Sequence, residues 1–86
     1  MNSSLELRLK SFEAHVPTVR ELQQQLNCSW QTAKHISREM SAVLRAMQKG
    51  AKLLMDEAQV RLSSTGKCIS EQVIDLIKNL FGFEVA

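Results

Sequence analysis

An all-α fold is what this sequence predicts, on three observations. Leu, Gln, Lys, Glu, Ala and Met are plentiful, whereas tyrosine is missing and only one proline and three glycines occur, so the residues of twisted strands and their turns are scarce. Apolar residues recur at spacings of three and four, which gathers them on one side of a helix. A Ser or Thr followed three residues later by Glu opens two segments, the pattern of a capped helix start. With 86 residues and a hydrophobic fraction of 44%, the chain has room for one core and one domain.

In chain order, Ser3 and Glu6 form the first capping box, and Leu5, Leu9, Phe12 and Val16 then repeat at helical spacing, which predicts a helix from about residue 4 to about residue 14. Pro17 closes that approach. Thr18 and Glu21 form a second box, so the next helix starts at Thr18 with Val19, Leu22 and Leu26 inward. Asn27 is its predicted stop, because Asn tolerates the left-handed conformation of a tight helix exit. Ser29 caps a third helix, on which Ala33, Ile36, Met40, Val43, Leu44 and Met47 share one stripe and Gln31, Lys34, His35, Arg38, Arg45 and Lys49 lie opposite.

Two accounts of residues 48–62 compete. Gln48-Lys49-Gly50 reads as a helix C-terminus, but Ala51, Leu54, Met55, Ala58 and Leu62 continue the same stripe across Gly50. The unbroken phase favours one long helix to about Leu62, bent at Gly50, whose second half meets a partner subunit. Ser63-Ser64-Thr65-Gly66-Lys67 is a loop, although VRLSSTGKCI (residues 60–69) also admits a hairpin reading. Ser70 caps a final helix through Phe81, with Val73, Ile74, Ile77, Leu80 and Phe81 on its apolar side and Gly82 as its stop.

Charge is distributed unevenly. The net value is +2, yet residues 17–52 hold six basic groups against two acids while residues 53–86 hold three against five. A surplus of four around the second and third helices points to a polyanionic partner, with a solvated helix face as the plainer alternative. Cys28 and Cys68 lack the number and spacing of a disulfide framework or zinc site, which fits a reducing compartment. MNSSLELRLK has no apolar signal core, and no stretch approaches the roughly 20 apolar residues that cross a bilayer, so the expected location is the cytoplasm, or the nucleoid if the chain is bacterial. His15 and His35 have no metal-ligand spacing with the cysteines, Asp56 and Glu57 point to different sides of a helix, and no glycine-rich phosphate loop occurs. The expectation is no enzyme, no cofactor and no metal.

Thr18-x-x-Glu21-Leu22-x-x-x-Leu26-Asn27-Cys28-Ser29-x-x-Thr32-Ala33 resembles the helix-turn-helix of bacterial and phage DNA-binding regulators. The resemblance covers residues 18 to about 38 and fits the superfamily rather than any single family. The chain departs from its pattern in having Asn27 for the turn glycine, Gln23 for a small residue, and Ser37 where an aliphatic residue is frequent, with Ile36 available for that core position. It implies a tri-helical helix-turn-helix core over residues 1–50. Residues 51–86 would be a helical extension of the same domain that pairs two subunits, because Leu53 and Val60 fall outside the helical stripe and would otherwise be exposed.

The implied function is sequence-specific binding of double-stranded DNA by a transcriptional regulator acting as a homodimer, with the helix from Ser29 in the major groove. Gln31 has the amide to pair with adenine and Lys34 the donor for guanine acceptors, which makes Gln31, Lys34 and His35 base-reading candidates, with Trp30 and Thr32 beside them. Arg38, one turn deeper, reads a base or holds a phosphate, and Ser29, Arg20, Arg45 and Lys49 are phosphate candidates. Each has a plainer role: Trp30 as a cover for the turn, His35 as a surface residue, Arg45 and Lys49 as a solvated face. The alternative function is a helical protein-protein adaptor, or an inhibitor of a transcription factor, that offers the apolar side of the final helix to a protein partner.

Overall fold

Leu5, Leu7 and Leu9 alternate with Glu6 and Arg8, and in the computed structural model, which describes residues 5–13 and 15–86, this alternation is a strand, β1 (Leu5–Leu9). The helix expected from about residue 4 to about 14 is therefore corrected; Ser3 of its capping box lies outside the described residues. Leu7 decides the matter, since it would leave the stripe of a helix but shares a strand face with Leu5 and Leu9.

After β1 come α1 (Val19–Leu26), α2 (Trp30–Gln48), β2 (Leu53–Asp56), β3 (Gln59–Leu62), β4 (Cys68–Ile69), α3 (Glu71–Phe81) and β5 (Phe83–Val85). The strands form one antiparallel sheet in the order β4-β3-β2-β1-β5. The expected all-α fold is thus wrong: the chain is mixed α/β, and residues 51–86 are four strands and one helix rather than a helical extension.

Residues directly opposite in a sheet share a face, and the register here sorts the strands by polarity. Leu5, Met55, Val60 and Ile69 make one row across four strands; Val85, Leu7, Leu53 and Leu62 make the next. Glu6, Arg8, Asp56, Gln59, Arg61 and Glu84 lie on the opposite face together with Leu54 and Cys68, and there Arg8 meets Glu84 at 2.6 Å and Lys52 meets Glu6 at 3.1 Å. The apolar face joins Leu22, Met40, Val43, Val73 and Ile77 of the helices in one core. Leu53 and Val60, expected at the surface of a long helix, are buried in this core, so they supply no pairing surface. Ile77 and Phe81 are buried too, and α3 does not hold these residues out for a protein partner.

The long helix through Gly50 does not form. Gly50 adopts φ +105, its amide donates to the Met47 carbonyl, and the Ala51 amide donates to the Ala46 carbonyl. These two bonds are the Schellman closure of a helix end, and they need a residue free to enter positive φ. β2 and β3 are joined by a tight turn with Glu57 at φ 54, and β3 returns to β4 through the loop 63–67. The hairpin reading of residues 60–69 is the one that occurs.

Among the described residues, no helix is long and apolar enough to cross a membrane.

Candidate nucleic-acid interface

Two capped helices meet at a three-residue turn, and that junction sets the direction of α2. At its start, Thr18 accepts the Glu21 amide at 3.1 Å while the Glu21 carboxylate accepts the Thr18 amide at 3.0 Å, the reciprocal box expected for α1. The Thr18 amide is also the main reason the Glu21 carboxyl is held below its usual range, with the Thr18 hydroxyl and His15, 3.6 Å away, acting in the same direction. Asn27 takes the left-handed conformation, φ 50 and ψ 51, as its place after α1 predicts. Ser29 then caps α2: its hydroxyl accepts the Thr32 amide at 3.2 Å and donates to the Thr32 hydroxyl at 2.9 Å.

The packed side of α2 is the predicted one. Ala33, Ile36, Met40, Val43, Leu44 and Met47 are all buried, and Ile36 fills the core where Ser37 remains half-buried. Leu22 of α1 is fully buried, while Gln23, at the position where a small residue is usual, is half-buried.

The outer ridge of α2 is exposed. Trp30 is 51% exposed, and Ser29, Gln31, Thr32, Lys34, His35, Arg38, Arg45 and Lys49 are exposed, as is Arg20 on α1. At about 100° per residue, Lys34, Arg38 and Arg45 fall within about 40° of one line, and the rise of about 1.5 Å per residue spreads them over roughly 16 Å. Three ion pairs form among the described residues, Arg8 with Glu84, His15 with Glu21 and Lys52 with Glu6; none involves a cation of this ridge. Ridge and turn together present a row of cations and amides, with Glu39 the one carboxylate of α2 beside them.

His35 and Arg38 also look toward the β3–β4 loop. With Ser64, Thr65 and Lys67 of that loop they border a groove of about 640 Å³. Arg45 lies on the other flank, beside Phe12, Val16 and Phe81. The structure thus brings Lys67 to the candidate interface, a residue that the sequence does not single out. Only the strand pairing of residues 60–69 carries Lys67 back to α2, and the apparent helical stripe through residue 62 hides that pairing.

Chemically the surface can do what fixed donors on a rigid rod do. It can bond acceptors in a groove and neutralise phosphates, and no group of three or more metal-ligating side chains occurs among the described residues. Comparison with protein-family models, with curated proteins and with solved structures returns no match.

Proposed function

We propose that the chain is a sequence-specific double-stranded DNA-binding protein of the helix-turn-helix kind, a transcriptional regulator of the cytoplasm that lays the first half of α2 in the major groove. One observation carries the reading: the ridge Gln31, Lys34 and Arg38 is exposed on a helix whose start is fixed by the Asn27 turn and the Ser29 cap. The major groove of duplex DNA accepts an α-helix, and its base edges offer acceptors and donors that amide and basic side chains match. In this reading Gln31, Lys34 and His35 meet base edges, Trp30 and Thr32 sit at the groove wall, and Arg38 reaches a base or a phosphate. Arg20, Ser29 and Arg45 hold the backbone on either side. The Ser29 hydroxyl is already engaged with Thr32, so its contact uses the remaining lone pair or the amide of the helix start.

The mixed fold strengthens the electrostatic side of the argument. Lys67 borders the same groove as His35 and Arg38, so the cations on this side outnumber Glu39, the one acid of α2, while Asp56, Glu57, Glu71, Asp75 and Glu84 belong to β2, its turn, α3 and β5. The test is a selection of bound sequences from a random duplex pool, followed by anisotropy on the enriched duplex. Changing Lys34 and Arg38 together to Ala is expected to weaken that binding by at least about 2 kcal/mol, since a good base contact is worth about 1–3 kcal/mol. A variant that binds the selected duplex as tightly as the parent ends the proposal.

A further inference from the structure

The groove between α2 and the β3–β4 loop has two kinds of wall. Ala42 and Ala46 from α2, with Leu62 and Ile69 from the sheet, make an apolar floor; His35, Arg38 and Lys67 stand on the rim. Glu39 also lines the groove; one oxygen of its carboxylate accepts the Ser70 amide at 3.1 Å, which turns it toward the start of α3 while its negative charge remains. The rim therefore holds two permanent cations, Arg38 and Lys67, against one carboxylate, a cationic excess above a hydrocarbon floor. A volume of about 640 Å³ lies within the range of small-molecule sites. The alanines at 42 and 46 keep it open, because a branched side chain at either would fill the floor.

We infer that this groove binds a small amphipathic organic anion, with a carboxylate or sulfonate head on Arg38 and Lys67 and an aliphatic or aromatic body over Ala42, Ala46, Leu62 and Ile69. A DNA backbone alone would satisfy the rim but leave the floor uncovered, whereas an amphipathic anion satisfies both. The regulatory consequence rests on the DNA-binding reading: His35 and Arg38 belong to both surfaces, so an occupied groove competes with the duplex for them. Binding of the anion therefore releases DNA.

The experiment uses the full chain without DNA and follows the fluorescence of 8-anilinonaphthalene-1-sulfonate, with decanoate as the displacing anion and decyltrimethylammonium as the oppositely charged control. Saturable binding at one site per chain is expected, displaced by decanoate and not by the ammonium compound. Ala42→Leu, an exposed helical position where leucine is compatible with the fold, and the pair Arg38→Gln with Lys67→Gln are each expected to weaken the dye by about tenfold or more, equivalent to about 1.4 kcal/mol. Circular dichroism melts establish that these variants are folded. Dye binding unchanged in both variants, or displaced as well by the cation as by decanoate, overturns the inference. A second arm adds decanoate to the complex with a selected duplex: release of DNA in the parent and not in Ala42→Leu supports the regulatory coupling. If no duplex is bound at all but the dye results hold, the anion site stands and the DNA reading alone falls.

Discussion

Asn27 and Glu21 show how far single residues fix the turn. Asn27 sits at φ 50, where a side chain branched at Cβ is crowded against its own backbone, so Asn27→Val is expected to cost about 1–2 kcal/mol in thermal or urea unfolding and Asn27→Gly little or nothing. Glu21 gives the turn a pH dependence. Its folded carboxyl is held below the unfolded value, chiefly by the Thr18 amide, so the charged form favours folding. That contribution is present above the unfolded value and is lost as pH falls through the lowered folded one. Glu21→Gln should therefore flatten the acid limb of a Tm-against-pH curve and leave Tm at pH 7 closer to its acid value; an unchanged acid limb would remove the assigned cause. These residue roles are legible in the sequence, because a capping box and a left-handed exit are local contracts between neighbours three or four positions apart.

At the scale of elements, α1, α3 and the start of α2 follow the sequence closely, whereas the end of α2 and the strands do not. Ser29 and Ser70 cap the helices expected of them, and Gly82 ends α3. The strands are concealed because two periods overlap. Leu44, Met47, Ala51, Leu54 and Ala58 keep helical spacing across Gly50, while Leu53 and Met55, then Val60 and Leu62, alternate with a period of two. Leu53 and Val60 are the signal: misfits on a helix, they are buried as soon as the segment is extended. The turn Glu57-Ala58 carries no glycine or asparagine to advertise it, even though Glu57 has positive φ. Gly50 separates the two accounts by sign. In a continuous helix Gly50→Ala stabilises by about 1 kcal/mol; at φ +105 it is expected to destabilise by about 1 kcal/mol or more, read from denaturant midpoints at constant m.

For the whole molecule, the sheet ties residues 5–9 to residues 53–56 and 83–85, so the turn between α1 and α2 is mounted on a body assembled from distant parts of the chain. With Leu53 and Val60 inside that body, a homodimer has to be argued from the duplex instead. A two-fold pair doubles the contacts of one short helix and calls for half-sites roughly 34 Å apart. A selected duplex is then expected to be palindromic at that spacing and to bind two chains by sedimentation; a single asymmetric site with one chain would refute the pairing. Affinity should also fall steeply with salt, and neutralising Arg45 should lower the slope of log K against log salt by about one if it holds a phosphate. By itself the sequence determined α1, α3, the start of α2, the N-caps of these helices, the Asn27 turn and the polar ridge from Gln31 to Arg38, all of which depend on neighbours close along the chain. Only the tertiary structure decided that Leu5 to Leu9 and the segments between Leu53 and Ile69 are strands, that α2 ends at Gln48, and that Lys67 lines the same groove as Arg38. A strand's partners lie far off in sequence, and short segments whose apolar residues fit both periods take the form that buries them best once the whole core is present.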